Sequence, residues 1–215
     1  DDDGHKELSR RLLLEERRLL IHLRHPNICM LLGWAATDEH DVIISELMQR
    51  NLEDLLRSHV PPDFANPRGR PAFSRQTAVR FLVQFAQGMV YLHGLRPPII
   101  HRDLKPANLL LDFSGVLKIS DFGLARVRPD VEGSHSGAEG ADAASPGRES
   151  KAQEMTAEAG SYRYMAPEVF RHEKYNERCD VYSFAMIAHY VLHFQPPFAF
   201  CGGVSAARAA ALDHA

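Results

Sequence analysis

Three oxygen-bearing side chains stand where chemistry could be done: Asp103, Asn108 and Asp121. The first two belong to the run His101-Arg102-Asp103-Leu104-Lys105-Pro106-Ala107-Asn108; the third opens Asp121-Phe122-Gly123, and Ala166-Pro167-Glu168 follows. A carboxylate such as Asp103 can orient an incoming hydroxyl and accept its proton. The amide oxygen of Asn108 and the carboxylate of Asp121 suit Mg²⁺, a hard cation that takes one or two protein carboxylates and keeps several waters. Lys105 carries a compact positive charge able to reach a transferred phosphate, and Gly123 lets the chain turn where a side chain would collide. Phosphoryl transfer needs charge neutralisation, in-line positioning and a proton acceptor more than covalent help, and this set offers all three. A single strip of this kind arises by chance in unrelated chains; the ordered set carries the reading.

The flanking patterns say what must hold these residues. From Arg80 to Leu92, apolar residues at Phe81, Leu82, Phe85, Met89 and Leu92 follow helical spacing. Pro97-Pro98 stops that helix, and Ile99-Ile100 leads into the loop of Asp103. Leu109-Leu110-Leu111 and Val116-Leu117-Lys118-Ile119 flank Asp112-Phe113-Ser114-Gly115, a hairpin pattern that places Asp121 just past a strand. Ser58 to Ser74, with its prolines and Gly69, reads as a rigid surface connection between two helices. Residues 128–159 are rich in Gly, Ala, Ser and Glu, with almost no large apolar residues, and are expected to be a disordered insertion. Loop closure costs only about 0.6 kcal/mol per doubling of length, so such an insertion is tolerable.

With these strips in place, the chain resembles a eukaryotic protein kinase domain from about Leu8 to about Phe198. Lys105 fits the serine/threonine pattern. Arg24-His25-Pro26-Asn27-Ile28 and the stretch from Met155 to Glu168 are similar to the tyrosine-kinase-like group, including Raf-like kinases. The resemblance implies an α+β, two-lobed fold: residues 1–48 as a partial N-terminal lobe with a mobile helix and a hinge strand, and residues 49–215 as a partial C-terminal lobe. It implies ATP with Mg²⁺ in the cleft and a protein substrate offering a Ser or Thr hydroxyl. Asp103 would be the catalytic base, Lys105 its phosphate-side companion, and Asn108 and Asp121 the metal ligands. Glu16 would be the glutamate of the mobile helix, on a segment striped by Leu12, Leu13, Leu19, Leu20 and Leu23; as a bare pattern, the same residue is a solvated charge among Glu15, Arg17 and Arg18. Ile43 to Met48 would be a buried strand running into the hinge. Ser45 would be a small gatekeeper there, backbone groups near Glu46 and Met48 would hold the adenine edge, and Leu110 would be its floor.

The same resemblance implies a buried stack of Leu20, Leu31, His101 and Phe122, which makes His101 structural rather than catalytic. It makes Asp180 the helix aspartate that anchors the catalytic loop. Ser161 would bridge Asp103 and Lys105 through its hydroxyl. Thr156 lies where an upstream activating kinase could add phosphate, with Arg102 as the bidentate cationic partner; Ser145, Ser150 and Ser161 are further candidates.

Two expected parts are missing from the pattern. Asp1 to Arg10 holds neither a glycine-rich phosphate loop nor a Val-Ala-x-Lys strand; Lys6 follows Asp-Gly-His and reads as a loop lysine. The helices that close a kinase's larger lobe are not seen after Pro196-Pro197-Phe198. The fold is therefore expected to be truncated, and the excerpt alone to transfer phosphate poorly. Composition adds limits. A net charge of -3 gives no reason to expect nucleic acid or direct membrane contact. Cys29, Cys179 and Cys201 have no metal spacing or even framework, which points to a reducing, cytoplasmic setting without excluding a membrane-bound parent. A pseudokinase or scaffold is the alternative function, and retention of Asp103, Asn108 and Asp121 argues against it. A small-molecule phosphotransferase would share the aspartate and asparagine but has no need of Gly160 to Glu168.

Overall fold

The computed structural model describes residues 17–36, 41–58, 73–127 and 161–199. Residues 17–20 are helical. The chain then crosses Arg24 to Met30 into an antiparallel ribbon, β1 (Leu31–Ala36) with β2 (Asp41–Ser45), in which Leu31 faces Ser45. After β3 (Arg50–Asn51) comes the short helix α1 (Leu52–Arg57), begun by Asn51, whose side chain accepts the Asp54 amide at 2.7 Å. Next is α2 (Arg75–Gly94), where Ser74 accepts the Thr77 amide at 3.1 Å in the same way. The remaining strands are β4 (Ile99–Ile100), β5 (Leu109–Leu111), β6 (Leu117–Ile119) and β7 (Arg126–Val127). Two helices follow, α3 (Pro167–Phe170) and α4 (Arg178–His193).

Sheets and helices are segregated, the α+β arrangement expected of the sequence. One sheet runs β3-β5-β6, and β4 pairs antiparallel with β7. The expected hairpin is β5 to β6. Its turn is closed by Asp112 Oδ1, which accepts the amides of Ser114 at 2.8 Å and Val116 at 2.9 Å, and Gly115 takes a φ of +75° that disfavours any Cβ. Helix α2 starts earlier than its apolar stripe suggests, because capping by Ser74 rather than hydrophobicity sets the first turn.

The buried stripe of α2, Ala78, Phe81, Phe85, Gly88, Met89 and Leu92, packs against β6 and α4, with Phe85 and Phe184 rings 4.9 Å apart. Ser183 Oγ donates to the Tyr164 carbonyl at 2.7 Å, tying α4 to the segment before α3. Leu20, Leu31, His101 and Phe122 are all buried, and the rings of His101 and Phe122 lie 4.9 Å apart. The expectation of a buried hinge strand is corrected. On β2 only Ile43 packs against the core; Val42, Ile44 and Ser45 are exposed. A strand alternates its faces, and among the described residues nothing covers the outer face of this ribbon.

Asn27 Nδ2 donates to the Leu117 carbonyl at 2.9 Å, the Arg24 amide donates to Tyr91 Oη at 3.0 Å, and His25 stacks on Tyr91 at 4.9 Å. Helix α2 approaches this junction so closely at Gly88 that an added Cβ would meet Ile119 Cδ1 at 2.7 Å and the Asn27 carbonyl oxygen at 3.0 Å. Gly88→Ala should therefore destabilise by about 1–3 kcal/mol, the usual cost of overpacking. Gly94→Ala meets nothing within 4 Å and should be neutral or stabilising by up to about 1 kcal/mol. Urea midpoints of the two variants check the contrast; equal midpoints would contradict the close approach.

Candidate active site

The loop from His101 to Lys105 is held from below by Asp180. This carboxylate is fully buried on α4 and accepts the backbone amides of His101 (2.9 Å, Oδ2) and Arg102 (2.9 Å, Oδ1). A third donor was not foreseen from the sequence: His93, at the end of α2, places Nε2 2.9 Å from Oδ2. An ionised carboxylate only accepts, so that nitrogen carries the proton. The available signal was His93 at the end of a helix just ahead of the loop. Arg102 has a φ of +70°, uncommon for a residue with a side chain, and the bond from its amide to Asp180 helps hold it there. His101 turns inward, with Nε2 3.0 Å from the Ser120 carbonyl, in keeping with a structural part.

Asp103, Lys105 and Asn108 converge. Lys105 Nζ lies 3.0 Å from Asp103 Oδ2, and Asn108 Nδ2 donates to that oxygen at 3.0 Å and to the Asp103 carbonyl at 2.8 Å. Both neighbours address Oδ2, so Oδ1 has no donor among the described residues and is open to accept a proton. The same bonds orient Asn108: with its NH₂ committed to Asp103, its amide oxygen faces the other way. Asn108 sits in the 3₁₀ turn Pro106–Asn108, and its carbonyl accepts both the Ser120 amide at 2.9 Å and the Ser120 hydroxyl at 3.0 Å. That pairing brings the chain at Asp121 beside Asn108. Asp121 is exposed and has a φ of +63°.

Two oxygens of this kind, one amide and one carboxylate, fit Mg²⁺ completed by phosphate and water. Among the described residues no group of three or more His, Cys, Asp or Glu is placed to hold a metal, so an ion here would take its remaining oxygens from a ligand or water.

At the other edge, the Glu46 amide donates to the Met30 carbonyl at 3.0 Å. The Glu46 carbonyl and the Met48 amide make no hydrogen bond among the described residues, and Leu110 lies half-buried on β5. Ser45 is exposed beside Cys29, whose thiol is pushed up by burial and by Glu46, while a hydrogen bond with Ser45 works the other way. Arg102 Nε donates to the Leu124 carbonyl and Nη1 to Tyr175 Oη, but Nη2 is buried with no partner among the described residues. Glu16 and Thr156 lie outside the described residues, as do the insertion and the side chain of Ser161, which opens the 3₁₀ turn Ser161–Arg163. A cavity of about 690 Å³ lies elsewhere, between Leu19, Leu23, Leu95, Ile99 and Val127; none of the converging residues lines it.

The loop of Asp103, Asp121 just beyond β6 and Asp180 on α4 are arranged as a protein kinase domain would place them, and the protein kinase domain family model matches residues 1–210. The chain belongs to that family. It is similar to the serine/threonine-protein kinase VIK of Arabidopsis thaliana, 40% identical over 195 residues, covering 88% of this chain and 39% of the relative. It is also similar to the serine/threonine-protein kinase STY17 of the same plant, 33% identical over 194 residues, which covers 90% of this chain and 28% of that protein. Mitogen-activated protein kinase kinase kinase 7 of Drosophila melanogaster is 35% identical over 187 residues, covering 86% of this chain and 23% of its own length. The chain thus spans well under half of the curated relatives it matches.

Proposed function

We propose that the protein is a serine/threonine kinase of the tyrosine-kinase-like, Raf-like group, transferring the γ-phosphate of ATP to a Ser or Thr hydroxyl of a protein substrate. The observation that carries the reading is the Asp103 carboxylate, whose Oδ2 is held by Lys105 and Asn108 while Oδ1 has no donor among the described residues. Its support is the family membership together with relatives whose printed names are serine/threonine kinases. Asp103 orients the acceptor hydroxyl and takes its proton on Oδ1. Lys105 restrains the carboxylate and offers positive charge toward the phosphate. Asn108 and Asp121 would hold Mg²⁺, which when bound neutralises phosphate charge and orients the triphosphate. The Glu46 carbonyl and the Met48 amide face the adenine edge, with Leu110 as floor and Ser45 leaving room behind. Ser161 and Glu16 keep the parts given by family resemblance: a hydroxyl near Asp103, and the mobile helix's glutamate. The two lobes divide at Met48, and the setting is cytoplasmic, which the buried thiols of Cys29 and Cys179 support.

The test is direct. The full-length protein with MgATP and a generic protein substrate should yield phosphoserine or phosphothreonine on acid hydrolysis. Nucleotide binding without any transferred phosphate would favour the scaffold reading instead.

Regulation follows from Arg102. Nη2 of Arg102 has no acceptor among the described residues, a buried guanidinium nitrogen left so costs about 1–3 kcal/mol, and a phosphate on Thr156 would supply one. Thr156→Ala should lower activity by about tenfold, on the scale of one charge-assisted bond. Unchanged activity, with wild-type Thr156 shown by mass spectrometry to carry phosphate, would remove this role and the need for an upstream kinase at that residue.

A further inference from the structure

Glu46 makes side-chain contacts that a backbone role in nucleotide binding does not require. Its Oε1 accepts the Met30 amide at 2.7 Å, and its Oε2 meets the Lys118 ammonium at 2.6 Å. The two side chains are only 19% and 14% exposed. There, a charge-assisted bond of this length is strong, and a broken pair leaves a charge poorly solvated. The Glu46 amide returns a bond to the Met30 carbonyl, so hinge and residue 30 are closed into a ring.

Lys118 stands in the middle of β6, and the same segment grips that strand from its other side. The Cys29 amide donates to the Ile119 carbonyl at 2.8 Å, the Ile119 amide donates to the Asn27 carbonyl at 2.9 Å, and Ile28 bridges Ile119 in parallel. Strand β6 then delivers Ser120 onto Asn108, and Asp121 follows. One ion pair thus joins the hinge segment at Glu46 to the strand that leads into Asp121.

We propose that Lys118 is a positioning residue: its ion pair with Glu46 fixes the hinge against β6, so that the spacing between the Glu46–Met48 backbone and Asp121 is set before nucleotide arrives. What that spacing serves rests on the kinase reading above; the tether itself does not. A preset spacing spares the nucleotide the cost of ordering two segments at once. The ammonium is the part of Lys118 that does this, since the stem alone could fill space without reaching the carboxylate.

Three substitutions separate charge from packing. Lys118→Met keeps the stem, Glu46→Gln keeps an acceptor for the Met30 amide, and Lys118→Arg keeps the charge. Amide hydrogen exchange of the full-length protein without nucleotide reads the tether independently of turnover. In Lys118→Met the amides of Met30, Glu46, Ile119 and Ser120 should exchange together, about tenfold faster, while those of Phe81 to Leu92 keep their protection. Glu46→Gln should reproduce the pattern, the double variant should add little to either single one, and Lys118→Arg should return most of the protection. KM for MgATP should rise about five- to tenfold in Lys118→Met, with KM for the protein substrate changed less than about twofold. Faster exchange confined to β6, with Met30 and Glu46 unchanged, overturns the proposal, as do single effects that simply add. A wild-type protein that shows the coupled exchange but transfers no phosphate would sink the kinase reading and leave the tether standing. Active wild type with uncoupled exchange would do the reverse.

Discussion

Asp103→Asn is expected to lower phosphate transfer by at least about 10²-fold, the scale of a lost general base, while affinity for MgATP should change little. The reason lies in how the two oxygens of Asp103 are used. Oδ2 is occupied by Lys105 and Asn108 and keeps the side chain in place. In the proposed mechanism Oδ1 takes the proton, and an amide in its place has no comparable basicity. The oxygens of Asn108 and Asp121 proposed to hold Mg²⁺ remain, so nucleotide binding should survive. Steady-state kinetics with a Ser-containing substrate, alongside a direct nucleotide titration, separate the two quantities. A variant with wild-type kcat would remove Asp103 from the chemistry. A variant that loses nucleotide affinity in parallel would recast it as a binding residue.

Asp180→Ala is expected to destabilise the protein by about 3–5 kcal/mol and to abolish activity with it. The carboxylate is fully buried and satisfies three nitrogen donors, the amides of His101 and Arg102 and the ring of His93, with the Cys179 thiol a weaker fourth at 4.0 Å. Removing it leaves each without an acceptor, at about 1–3 kcal/mol per group before relaxation. It also frees Arg102 from the bond that helps hold its positive φ, and relaxation there carries Asp103 away from Lys105 and Asn108. His93→Ala removes one donor and leaves the two amide bonds, so its cost should be far smaller. Thermal and urea unfolding of the two variants measure the difference. Near-equal effects would mean that the loop is anchored by something other than this carboxylate. The neighbouring Cys179 thiol, pushed up to about 12 chiefly by burial and then by Asp180, should stay protonated and inert to alkylating reagents in the native protein at pH 8.

The candidate residues stand out in the sequence because phosphoryl transfer needs particular atoms in a particular order. Asp103, Lys105, Asn108 and Asp121 are close along the chain, and a loop, a hairpin and a strand end suffice to gather them. The hairpin and α2 were legible too, since Gly115, Asp112 and the apolar stripe act within a few residues of themselves. Burial of β2 was misjudged because an Ile-rich run looks the same whether one face or both are covered; Ile43 packs inward while Val42 and Ile44 do not.

What the sequence alone determined, then, is the set of candidate reacting groups and the short elements that carry them, because those depend on residue type and local spacing. Tertiary structure decided which groups restrain which. His93 and Asp180 meet across 87 residues, Glu46 and Lys118 across 72. No local pattern announces either pair, since a histidine or a lysine on its own element is satisfied equally well by water. Only packing that removes the water makes the partner obligatory, and that packing exists only once α2, α4 and β6 have come together.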